Sequence, residues 1–205
     1  MSKGCFSHNV MIRYESIISY KSMEKPAYKT LSKEVFFKTP WTTFMHNKFA
    51  MPNGKEGNYW YVHTKGSSFV IPVLQDGRIL LGHQYRYLTD RMSYEFAGGS
   101  VNEDKTYEEA ARQELEEELG YTAQNIKEVG EFCPMNGVTD EICKVYVATG
   151  IEKTAQNLEE TEQIEELTFS PEEFDRMIAE GKMDDGMTLA AWALARPHLG
   201  VTCKE

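Results

Sequence analysis

The chain has 205 residues and carries 22 Lys and Arg against 32 Asp and Glu, a formal charge of −10 at pH 7. That length suits one domain with a sizeable core, and the acidic balance excludes general binding to nucleic acid or an anionic membrane, which needs a basic field. Cys5, Cys133, Cys143 and Cys203 are too sparse for a disulfide framework, no apolar segment follows the charged start, and no apolar run reaches spanning length, so a cytoplasmic protein with reduced thiols is expected.

Residues 1–33 mix Lys, Ser, Tyr and single apolar residues without a sustained period, and form an extension to which no function is assigned. Residues 34–62 are rich in aromatic and β-branched side chains, with the turn Pro52-Asn53-Gly54 inside them. This predicts antiparallel strands, whose aromatics suit sheet-face packing. Phe69 to Leu74 is a continuous apolar strand, and Asp76-Gly77 is a turn into Arg78–Arg86, so a pair central in the sheet is expected. Tyr94-Glu95-Phe96-Ala97 then leads into Gly98-Gly99.

Residues 106–120 spell a helix with marked ends. Thr106 is an N-cap with Glu109 three residues on, and Gly120 suits the left-handed position past the last turn. Ala111, Leu115 and Leu119 form a narrow apolar stripe, while Glu114, Glu117 and Glu118 share another face. Like charges at this spacing oppose each other and, in the C-terminal half, also oppose the helix dipole. Such a face is either simply solvated or built for a hard divalent cation, Mg²⁺ or Mn²⁺, with positions left for phosphate oxygens.

A weakly alternating strand over residues 126–132 precedes the loop Cys133-Pro134-Met135-Asn136-Gly137-Val138-Thr139-Asp140-Glu141. A strand over 142–148 and an acidic loop over 157–164 come next. Ser170-Pro171-Glu172-Glu173 starts a helix with an N-cap, proline at the first position and glutamate at the third. Asp184-Asp185-Gly186 starts another, in which Leu189, Trp192 and Ala193 are spaced for packing. Residues 197–205 are a tail, and 34–196 make up the domain.

The stretch from Gly99 to Tyr121 resembles the Nudix box, G-x5-E-x7-R-E-U-x-E-E-x-G-U, with Gly99, Glu114, Leu115, Glu117, Glu118 and Gly120 in register. Lys105 stands where the box has glutamate, and Gln113 where it has arginine. In the family that arginine helps orient the metal-binding glutamates, a task open to Gln113 only through a neutral amide. Arg112, about 100° round the helix, is a poor substitute. Gln84-Tyr85-Arg86, Glu95 to Gly99 and Gly137 to Glu141 resemble segments of ADP-ribose and nucleotide-sugar pyrophosphatases, although Asn136 replaces a diagnostic proline.

The resemblance implies an α/β Nudix fold: an α/β/α sandwich around a mixed curved sheet, with N-terminal antiparallel strands that support a homodimer. It implies metal-dependent hydrolysis of nucleoside diphosphate sugars, ADP-ribose leading, to a nucleoside monophosphate and a sugar phosphate. Alternatives are a Nudix pyrophosphatase for dinucleoside polyphosphates or nucleoside triphosphates, and a Nudix protein that binds a nucleotide sugar without cleaving it. Glu114, Glu117, Glu118 and the Gly98 carbonyl are the implied ligands of Mg²⁺ or Mn²⁺. Glu160 or Glu162, on the acidic loop, is the implied general base. Arg86 is expected on a phosphate or ribose, or in a surface salt bridge. Glu95 is expected at the ligand or a bound water, or paired with Arg86 or Arg91. Glu141 is expected on substrate, or hydrogen-bonded within its loop. Trp41, with Phe44 and Trp60, is expected near a base, reached across the dimer.

Overall fold

The computed structural model describes residues 25–158 and 162–199. Strands β1 (Lys29–Lys38), β2 (Thr43–Ala50) and β3 (Glu56–His63) pair antiparallel in that order. The first of them starts inside the expected extension. Gly54 takes φ 80° between β2 and β3, the left-handed conformation that the Asn-Gly turn supplies.

Strands β4 (Ser67–Pro72), β5 (Ile79–Arg86), β6 (Arg91–Glu95) and β7 (Ala97–Ser100) precede helix α1 (Tyr107–Leu119). After it come β8 (Tyr121–Phe132), β9 (Cys143–Lys153), β10 (Ile164–Phe169), α2 (Pro171–Ala179) and α3 (Gly186–Ala195). Two sheets result, one ordered β10-β5-β6 and one ordered β7-β4-β9-β8, in which β4 and β9 run parallel. The Asp76-Gly77 turn forms, with Gly77 at φ 83° and the Leu74 N–H donating to the Arg78 carbonyl at 2.8 Å. The expected central pairing of β4 with β5 is nonetheless corrected. Each is an inner strand of its own sheet, because each is buried along most of its length and takes a neighbour on either side.

Alternate residues of β4 serve two cores. Phe69 and Ile71 pack with Phe174, Ala191, Trp192 and Ala195 of α2 and α3, whereas Val70 packs with Ala111, Leu115 and Leu119 of α1. Helices therefore cover both faces, as the sandwich expectation required. All three residues of the α1 stripe are fully buried, each leucine contributing about 1.5–3 kcal/mol by burial. Phe96, between β6 and β7, is buried against Phe174 and Trp192, where the chain passes from one sheet to the other. That crossing delivers Glu95 and Gly98 to the same end of the molecule as α1.

Candidate active site

α1 is held at both ends. The Thr106 hydroxyl accepts from the Glu109 N–H at 3.2 Å and the Glu109 carboxylate accepts from the Thr106 N–H at 2.8 Å, while Gly120 closes the helix at φ 67°, ψ 44°. These caps fix the rotation of the helix and hence where its acids point. Gly99 lies directly beneath Glu114: a Cβ there would stand 2.4 Å from the Glu114 Oε1. A Cβ on Gly98 would stand 2.6 Å from the Ser68 carbonyl of β4. Only glycines let the β7 backbone slip between β4 and the helix.

The Gly98 N–H donates to the Glu118 Oε2 at 2.9 Å. Glu118 is 8% exposed. Its carboxyl is pushed up to about 8, first by burial, then by the charge of Glu114 and, more weakly, Glu162; the Gly98 N–H and the Arg86 guanidinium pull the other way. Charges from α1, the acidic loop and β5 thus converge on one buried carboxyl, which brings Glu114, Glu118, Glu162 and Arg86 together. Glu160 lies outside the described residues.

Arg86 forms a fork with Glu95: its Nε donates to Oε1 at 2.8 Å and its Nη2 to Oε2. Gln84 adds a hydrogen bond to Oε2 at 3.3 Å. Glu95 is 6% exposed, so it serves as a buried brace for a half-exposed guanidinium, as its pairing alternative anticipated. Arg86 and Glu95 line a groove of about 370 Å³ with Arg91, Ser93, Asp184 and Met187. A wider concavity of about 880 Å³, lined by Val73, Arg78, Thr149, Ser170 and Arg176, contains none of the expected site residues. The smaller groove is the one that Arg86 and Glu95 line.

Glu117 is placed differently. Both its oxygens accept from the Gln113 amide nitrogen at 2.9 Å, and the Lys105 ammonium donates to the Gln113 amide oxygen. Arg112 turns to Glu108 and to the Ala123 carbonyl, away from this chain of contacts. Glu141 accepts from the Ser67 hydroxyl at 2.7 Å, a partner outside its own loop. Trp41, in the turn between β1 and β2, is 90% exposed. Residues that sequence reasoning missed are Gln84, legible only as part of Gln84-Tyr85-Arg86, and the Gly98 N–H, for which the sequence carries no signal.

The donor set suits a hard cation: it is all oxygen, partly buried, and strained by like charge that a cation would relieve. Among the described residues no three His, Cys, Asp or Glu side chains are grouped tightly enough to hold an ion as they stand.

The profile of the NUDIX domain matches residues 64–190, from just after β3 into the first half of α3. The chain belongs to the Nudix hydrolase family. Nudix hydrolases generally use divalent metal ions, and Glu114, Glu117 and Glu118 of this one sit on the box helix. The chain is 28% identical over 173 residues to the ADP-ribose pyrophosphatase of Bacillus subtilis (strain 168), which covers 83% of this chain and 92% of that protein. It is 28% identical over 149 residues to the GDP-mannose pyrophosphatase of Yersinia enterocolitica, covering 67% of this chain and 76% of that protein. Its fold is that of a solved ADP compounds hydrolase, with a TM-score of 0.73, 19% identity, and coverage of 87% of this chain and 96% of that one.

Proposed function

We propose that this Nudix hydrolase cleaves the pyrophosphate bond of nucleoside diphosphate sugars, ADP-ribose foremost, giving a nucleoside monophosphate and a sugar phosphate. The observation that carries this reading is the buried Glu118, on which the charges of Glu114, Glu162 and Arg86 act, with Arg86 also lining a groove of about 370 Å³. Similarity to an ADP-ribose pyrophosphatase and a GDP-mannose pyrophosphatase supports the substrate class.

Glu114, Glu117, Glu118 and the Gly98 carbonyl would hold Mg²⁺ or Mn²⁺. When bound, the cation supplies charge neutralisation on the phosphates and a lowered pKa for water. Arg86 binds a phosphate through the guanidinium donors that Glu95 does not occupy, since the fork has five N–H groups. Glu95 and Gln84 keep that fork aimed into the groove. Glu162 or Glu160 takes the proton of the attacking water. Glu141, tethered by Ser67, borders the substrate.

The protein works as a homodimer in this reading. Val35, Phe36, Phe37 and Trp60 of the first sheet are each more than half exposed, an apolar surface of the kind a second copy covers. Trp41 would then reach the partner's groove and stack on a base.

Replacing Glu114 by Gln keeps the shape of the side chain and removes its charge. Turnover should fall by about 10²-fold to 10³-fold, the scale of losing a principal electrostatic group, when product release is followed by chromatography. Wild-type turnover in saturating metal would contradict the assignment.

A further inference from the structure

Lys105 and Gln113 both break the box pattern, and the structure joins them. Lys105 sits in the turn before α1, where its own N–H donates to the Asn102 carbonyl at 3.2 Å. Its ammonium donates to the Gln113 amide oxygen, and the Gln113 amide nitrogen donates to both oxygens of Glu117 at 2.9 Å. The polarity of this chain of contacts is forced. An ammonium has only donors, so it can accept nothing, and the glutamine must turn its oxygen toward Lys105. The NH₂ group is thereby left facing Glu117.

We infer that Lys105 and Gln113 act as a coupled positioning pair, in which Lys105 locks the amide orientation of Gln113 so that Gln113 holds the Glu117 carboxylate in place for a divalent cation. The inference rests on the reading of Glu117 as a metal ligand. Each Glu117 oxygen that accepts one hydrogen bond keeps a lone pair for the cation, so holding and ligation do not compete. The pair also inverts the box polarity. Where the box has an acid that accepts and an arginine that donates, this chain has a cation that donates to an amide that passes the donation on. Either solution presents N–H groups to Glu117, but the halves cannot be mixed. Lys105→Glu alone would attract the amide NH₂ and turn the glutamine oxygen onto Glu117. Gln113→Arg alone would set a guanidinium against the Lys105 ammonium.

The test is a double-mutant cycle of Lys105→Glu, Gln113→Arg and the double variant, read by Mn²⁺ titration with electron paramagnetic resonance. Melting temperature and the division of activity between kcat and KM are measured alongside. Each single variant should lose about 10-fold to 100-fold in Mn²⁺ affinity, the usual effect of removing a group that orients a ligand. The double variant should return to within about 3-fold of wild type, far from the additive expectation for independent sites. Lys105→Met, which frees the amide to rotate without reversing it, should fall between wild type and Lys105→Glu, and it serves if Lys105→Glu fails to fold. Additive losses, or single variants with unchanged Mn²⁺ affinity, would overturn the coupling. Glu118→Gln separates the two failures. If it abolishes Mn²⁺ binding while the cycle is additive, the pair is refuted and the metal site stands. If Glu117→Gln and Glu118→Gln both leave Mn²⁺ binding intact, the metal assignment fails and the pair with it.

Discussion

Glu118 is a carboxylic acid buried under α1 with one peptide N–H and two neighbouring acids, and its proton affinity sets a pH signature for the whole protein. From the ordinary value of 4.5, burial and the neighbouring acids push it up to about 8 in the fold. Below the first value both states hold the proton. Between the two, only the folded state keeps it, so the stability this group confers at low pH is lost as pH rises through that window. The cation-free protein should therefore melt lower at about pH 8 than at about pH 5, and Glu118→Gln should flatten that slope; a slope unchanged by the substitution would remove Glu118 as its source. Cation affinity should strengthen over the same window, because binding displaces the proton. The acids themselves were legible from Glu114-Leu115-Glu116-Glu117-Glu118, since folding alone disfavours that spacing. Which one is buried was not, because all three share a helix face and only the β7 backbone passing beneath them distinguishes Glu118. Glu95 was likewise open between ligand and brace in the sequence, and the structure pairs it with two of the three Arg86 guanidinium nitrogens.

At the level of the elements, α1 was readable almost to the residue, because its signals are local: a capping box, an apolar stripe and a terminal glycine. Thr106→Ala should cost about 1 kcal/mol of stability, measured by denaturant unfolding, with little change in kcat. Gly99→Ala should do the reverse of a cap mutation. Its Cβ would press on the Glu114 carboxylate, at 2.4 Å from Oε1, so activity and metal affinity should collapse while the melting temperature changes less; a fully active Gly99→Ala enzyme would show that Glu114 need not rest on that backbone. The parting of β4 and β5 was not readable. A dipeptide turn says that the chain reverses, but two strands apolar on both faces each take two partners, and those partners lie far away in sequence. Phe96 carries the same lesson: its hydrophobicity was plain, its role as the crossing between sheets was not.

For the whole molecule, the layered fold was legible through the resemblance to the Nudix box, which also placed the site within it. The assembly rests instead on what the first sheet leaves uncovered. If that face joins two copies, sedimentation should give a dimer, and Phe36→Glu, at a position 71% exposed in one chain, should yield a folded monomer with weakened activity; a monomeric wild-type protein would remove the dimer and with it any role for Trp41 across the interface. The central claim is the reaction, and it is tested most directly by chromatographic product analysis after incubation with ADP-ribose, ADP-glucose, GDP-mannose, UDP-glucose, a dinucleoside polyphosphate and nucleoside triphosphates, with Mg²⁺, Mn²⁺ or EDTA. The account predicts AMP and ribose 5-phosphate from ADP-ribose, abolished by EDTA and diminished in Glu114→Gln. Binding without cleavage of any nucleotide sugar, or cleavage confined to nucleoside triphosphates, would contradict it.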